Sequence, residues 1–163
     1  MQLQIRLTAR ENQEFWEHIH QLAEDPKSLR MKQYIQHGRI TTYDHCMSVA
    51  RMSFLLNRRL RIHANEQRLV RAAFLHDYFL YDWHSHGDKL HGYHHPHIAA
   101  LNARKDFGLG REEMLAIESH MWPLTLLHTP SSRIAWTITL ADKLCSSRET
   151  IFLRGKSKEE MLY

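Results

Sequence analysis

Apolar residues recur along the chain with a helical period almost from end to end. Phe15, Ile19 and Leu22 line one side of a helix predicted over 11–24. A second helix is expected over about 28–37, stopping near Gly38. Thr41 or Thr42 is placed to cap a third, over about 43–60. That helix carries the stripe Cys46, Val49, Ser53 and Leu56, with Met52 beside it and His45 one turn before Val49. In a fourth, over about 65–81, Leu69, Ala73, His76 and Leu80 share a face, and Val70, Phe74, Asp77 and Tyr81 lie next to it. Residues 82–94 have no period and include Gly87 and Gly92, which reads as a loop. Pro96 suits the first turn of a fifth helix, over about 96–107, with His95 at its cap. Gly108 and Gly110 precede a sixth, over about 111–121, with Met114, Ile117 and Met121 on one side, His120 in the last turn and Pro123 beyond it. The segment IAWTITL is rich in β-branched residues, yet Ile134 or Ala135, Ile138, Asp142 and Cys145 fall three and four apart, which favours a helix over 131–148. The expected fold is all-α, a helical bundle, in a single domain over 1–163.

Six polar residues interrupt the predicted core faces: His45, His76, Asp77, His95, His120 and Asp142. Each alone has a bland explanation, as a hydrogen-bonded core histidine, a cap or an arginine partner. Together, on five helices or helix ends, they are hard to satisfy one by one, because a buried charge is costly unless paired or bound to metal. A shared cation neutralises both carboxylates and accepts four imidazole nitrogens. The donors are nitrogen and oxygen with no thiolate, which favours a divalent transition metal: Fe, Mn, Ni, Co or Zn. Six ligands exceed one tetrahedral site and suit one octahedral ion or two ions bridged by a carboxylate. The chain has 14 histidines, six of them between His84 and His97, but such clustering alone also fits an adventitious metal binder. Cys46 and Cys145 make no disulfide framework and are expected to be reduced, buried thiols.

These residues occur in the order H … HD … H … H … D: TTYDHCMSVA with His45, AAFLHDYF with His76-Asp77, HHPHIAALNA with His95, IESHMWPLT with His120, and TLADKLCSSRE with Asp142. The ordered set, spread over roughly residues 35–150, resembles the HD-domain metal-dependent phosphohydrolase superfamily. The resemblance implies an HD-domain helical bundle with the metal site between helices. His45, His76, Asp77 and Asp142 would hold a first metal. His95 and His120 resemble the extra ligands of dinuclear members, with Asp77 as the bridge. His94 and His97 flank His95 and His91 is near; the H-P pair favours His95. Ala99 stands where many relatives have glycine, a small-for-small exchange.

The chemistry this implies is hydrolysis of a small phosphoester, nucleotide-like substrates included, by a metal-bound hydroxide, with Asp77 at its centre. Lys143, next to Asp142, is a candidate catalytic cation for a phosphoryl or leaving-group oxygen, or else a surface lysine on the outer face of its helix. Lys89 and His91, in the loop before His95, are candidate substrate contacts, or part of a polar surface loop. Arg39 is a weaker candidate for phosphate binding, and Trp122 for stacking on a base rather than packing. Two rivals remain open: a di-iron oxygenase of the same superfamily, whose protein ligands look alike, and a module that binds a phosphorylated ligand without turnover. The formal net charge of +4 comes from scattered basic residues, with small clusters at Arg58-Arg59-Arg61 and Lys156-Lys158. That pattern argues for a solvated face and against a nucleic-acid polymer as partner, and the excess suits an anionic small substrate. Apolar runs are too short to span a bilayer and no signal peptide is visible, so a cytoplasmic location is expected, with oligomerisation open.

Overall fold

Capping side chains set where the first helices of this chain begin. The computed structural model describes residues 6–85 and 90–156. Helix α1 (Ala9–Glu24) opens with a capping box in which Glu11 N–H donates to Thr8 Oγ1 and Thr8 N–H to Glu11 Oε2. Its Phe15, Ile19 and Ala23 are buried. The short α2 (Pro26–Leu29) and a 3₁₀ turn (Arg30–Gln33) follow. The helix expected over about 28–37 thus breaks early, because Ile35–His37 leaves it to form β1, paired antiparallel with β2 (Ile40–Thr41). Gly38 supplies the left-handed backbone of this hairpin at φ 58°.

Helix α3 (Thr42–Arg59) is capped by Thr41, whose Oγ1 accepts from Asp44 N–H. It packs against α4 (Glu66–Phe74) and the long α7 (Arg133–Lys156). Helix α5 (His91–Phe107) packs against α6 (Arg111–Glu118), and α6 in turn against α4 and α7. The core between them holds Val49, Phe54, Leu69, Phe74, Ile117 and Ile138, with a run of small residues, Ala99, Ala100 and Ala103, on α5. Cys46 and Cys145 are free and buried. The architecture is all-α apart from the two-stranded hairpin. No helix among the described residues is long and apolar enough to cross a membrane.

Three helix ends differ from the periodic pattern, and all three carry a site histidine. Helix α4 stops at Phe74, so His76 and Asp77 lie in the turn after it rather than inside a helix reaching 81. In a continuing helix Ala73 C=O would accept from Asp77 N–H. Here His76 Nδ1 donates to it at 2.7 Å. Helix α6 stops at Glu118, and His120 Nδ1 donates to Ile117 C=O at 2.7 Å in the turn that follows. A histidine at a helix C-terminus that binds a terminal carbonyl replaces the missing ladder bond. Helix α5 begins at His91, inside the stretch expected to be loop, so His95 sits within the helix instead of capping it. Pro96 therefore lies beyond the first turn, where it cannot donate to Gly92 C=O.

Candidate metal centre

The six polar residues that interrupt the core faces converge. His45 comes from the first turn of α3, His76 and Asp77 from the turn after α4, His95 from α5, His120 from the turn after α6, and Asp142 from the middle of α7. All six are buried. His94 and His97 point outward, and His97 Nδ1 pairs with Glu118 at 2.9 Å, so of the three neighbours His95 alone enters the core.

The two oxygens of Asp77 face two different groups. Its Oδ2 lies 3.5 Å from His76 Nε2 and 3.9 Å from His45 Nε2, and Asp142 Oδ1 closes this group at 3.2 Å from His45 Nε2 and 3.7 Å from His76 Nε2. Its Oδ1 lies 3.1 Å from His95 Nε2 and 3.4 Å from His120 Nε2. One carboxylate therefore stands between a His45–His76–Asp142 group and a His95–His120 pair.

A second layer fixes each imidazole. His76, His95 and His120 donate Nδ1–H to the carbonyls of Ala73, His91 and Ile117, at 2.7, 2.8 and 2.7 Å. His45 Nδ1 donates to Glu149 Oε2 at 2.9 Å. All four rings thereby turn Nε2 inward, the nitrogen a metal would take once it carries no proton. Gln36 Nε2 donates to Asp77 Oδ2 at 2.6 Å, and Ser146 Oγ to Asp142 Oδ1 at 3.1 Å.

Protein atoms alone leave this arrangement unsatisfied. His76 Nε2 and Asp77 Oδ1 are buried and have no hydrogen-bond partner. His95 Nε2 and His120 Nε2 face one another at 3.0 Å, although both rings already hold their protons on Nδ1. Asp77, Asp142 and Glu149 bring three negative charges, and Lys143 Nζ, 3.3 Å from Asp142 Oδ2, returns one. Orphaned lone pairs around uncompensated buried carboxylates are what a divalent cation resolves, and nitrogen and oxygen donors of this kind fit one. Among the described residues, three groups of close ligand atoms are present: His45–His76–Asp142, His76–Asp77–His120, and His37–His45–Glu149.

The ionisation of the site tells the same story. Burial opposes the charge on Asp77, but His76 and then His95 outweigh it and hold the carboxyl well below its ordinary range. Burial likewise opposes Asp142, and the hydrogen bond to His45, with His76 close by, keeps it well below its ordinary range. Burial disfavours charge on His45, yet its bonds to Asp142 and Glu149 lift it to about 10. His76 is raised well above 6.5 against its burial, chiefly by Asp77. His120 is pushed down to about 3 by burial, against the pull of Asp77.

The other candidates fall around this centre. Lys143 is half-exposed, and its Nζ donates both to Asp142 Oδ2 and, at 3.1 Å, to His120 C=O, so it reaches from the surface to the centre. His91 stacks between Trp83 and His95 and meets Tyr81 Oη at 2.8 Å. Trp122 packs edge-to-face on Trp136, with centroids 5.1 Å apart. Arg39 is exposed in the hairpin, two residues from His37. Lys89 lies outside the described residues. Sequence patterning missed Gln36, His37, Ser146 and Glu149. Ser146 and Glu149 follow Asp142 at four and seven positions, on one helix face, and that spacing was readable. Gln36 was hidden inside the helix expected there. Of the basic clusters, Arg58 is bound to Glu14 and Glu66, and Arg59 to Glu11.

Against known families, residues 42–147 match the HD domain. No curated protein and no solved structure matches the chain.

Proposed function

The chain belongs to the HD-domain family, and from that premise we propose that it hydrolyses a small phosphoester at a dinuclear centre of divalent transition-metal ions. His45, His76, Asp77 and Asp142 would hold one ion, and Asp77, His95 and His120 the other. The observation that carries this reading is the division of Asp77, with Oδ2 among His45, His76 and Asp142 and Oδ1 between His95 and His120. When bound, such ions supply an acidified water as nucleophile and positive charge for the phosphoryl oxygens.

The chain's own residues do the rest. The Nδ1–H bonds to Ala73, His91, Ile117 and Glu149 hold the four rings in register before any ligand arrives. Gln36 holds one oxygen of Asp77 in place. Lys143, anchored between Asp142 and His120 C=O, presents its ammonium to a phosphoryl oxygen. His91 stands beside His95 on the side where the loop before α5 ends, and with Lys89 is proposed to contact substrate. Commitment of Arg58 and Arg59 to internal ion pairs supports a small anionic substrate over a nucleic-acid polymer.

Elemental analysis of the purified protein, followed by a phosphoester screen with added manganese, tests this reading. Bound transition metal at one to two ions per chain and phosphate release are expected. Oxygen consumption without phosphate release would assign the oxygenase chemistry instead.

A further inference from the structure

Beside the metal centre, the outer wall of α7 borders a surface cleft of about 640 Å³. Its lining is carbon almost throughout, from Ile62, Trp122, Pro123, Trp136 and Leu140, with Lys143 at one end and Arg133 at the other. Ten helical steps separate those two cations, a rise of about 15 Å. Trp136 and Leu140 remain 46% and 45% exposed, so the cleft leaves bulky apolar side chains in water, where a folded chain seldom keeps them in contiguous patches.

Lys143 joins this cleft to the chemistry. Its side chain lines the cleft, while its Nζ touches Asp142 Oδ2 and His120 C=O. Building on the hydrolase reading, we propose that the cleft holds the leaving group of the phosphoester, and that this group is an apolar aromatic ring rather than a hydrogen-bonding base. A phosphate at Lys143 would lie against the centre, and the alcohol it esterifies would extend along α7 towards Arg133. The edge-to-face pair of Trp122 and Trp136 presents aromatic surface for a further ring. Few hydroxyls of that wall are open to a ligand. Thr137 donates to Arg133 C=O, Ser132 accepts from Ala135 N–H, and Thr139 Oγ1, which has no partner, is buried from solvent. A nucleobase edge would find little to read, whereas an aryl group needs only the rings and the apolar walls. The volume lies within the range of sites for small organic ligands.

The test uses naphthol, naphthyl phosphate, a nucleoside monophosphate and glycerol phosphate. Calorimetry of the metal-free protein should show saturable naphthol binding, weakened about tenfold by Trp136→Ala, a stacking-sized loss. In the manganese-loaded protein the same substitution should raise the KM for naphthyl phosphate about tenfold relative to that for glycerol phosphate. Three results would each overturn the inference: no naphthol binding, an equal change in KM for both esters, or a lower KM for the nucleoside monophosphate than for naphthyl phosphate. A dimer that Trp136→Ala dissociates would also overturn it, by making the cleft a contact between copies. Naphthol binding with no turnover of any phosphoester would sink the hydrolase reading and the leaving-group role with it. Turnover of glycerol phosphate without naphthol binding would sink the cleft assignment alone.

Discussion

Asp77 touches both halves of the centre, and its loss should therefore be felt twice. Asp77→Ala is expected to lose bound metal and to lower phosphoester hydrolysis by at least about a hundredfold. Metal content after dialysis and turnover under saturating manganese measure the two effects separately. Glu149 acts one layer out, through His45 Nδ1. Glu149→Gln keeps an acceptor but removes the charge, and metal affinity should fall about tenfold with the fold intact, read by competition with a chromophoric chelator. The six inward-facing polar residues were legible in the sequence because each breaks an apolar stripe. Gln36 and His37 were not, because what decides their place is the pairing of β1 with β2, and a two-residue strand leaves no periodic trace.

At the scale of elements, the turn after α4 is the most exacting part of the fold. It must leave the helical path at once and still bury two ionisable side chains. Asn102, from α5, holds it there: its Nδ2 donates to Tyr78 C=O and Phe79 C=O, both at 3.2 Å. Asn102→Ala would strip both carbonyls of a donor. It should cost about 1–3 kcal/mol in denaturant unfolding and also weaken metal binding, because Asp77 stands next to the loosened segment. Helical periodicity located α1 and α3 well, ran α6 past its end at Glu118, stopped α7 at 148 short of Lys156, and carried α4 through His76 and Asp77. The apolar spacing there continues across the turn, since Tyr78 and Phe79 are also buried. Spacing reports burial, and a buried turn looks like helix. The end of α4 is set instead by a side chain, the imidazole that takes the carbonyl of Ala73.

For the molecule as a whole, the centre links stability to pH and to metal. His45 is raised from 6.5 to about 10 in the folded, metal-free chain, so its contribution is complete below pH 6.5 and is lost as pH rises towards 10. Asp77 and Asp142 are depressed, so theirs is present above pH 3.8 and is lost as acid drives them through their lowered values. Metal-free protein should accordingly melt at falling temperatures from pH 6.5 upward. Loaded protein should not, because the ion takes the place of the proton on Nε2. Thermal melts across this range, with and without chelator, display the difference. At neutral pH, metal at about a hundred times its dissociation constant should raise the melting temperature by roughly 5–10 °C.

Three of the four inward-facing rings are steadied by main-chain oxygens from within their own turn, and one by a side chain, Glu149. A gene can change a side chain and cannot delete a peptide carbonyl. Heritable adjustment of how strongly these rings donate thus passes through position 149 first, and a laboratory seeking to retune the preferred ion has a natural place to begin its library.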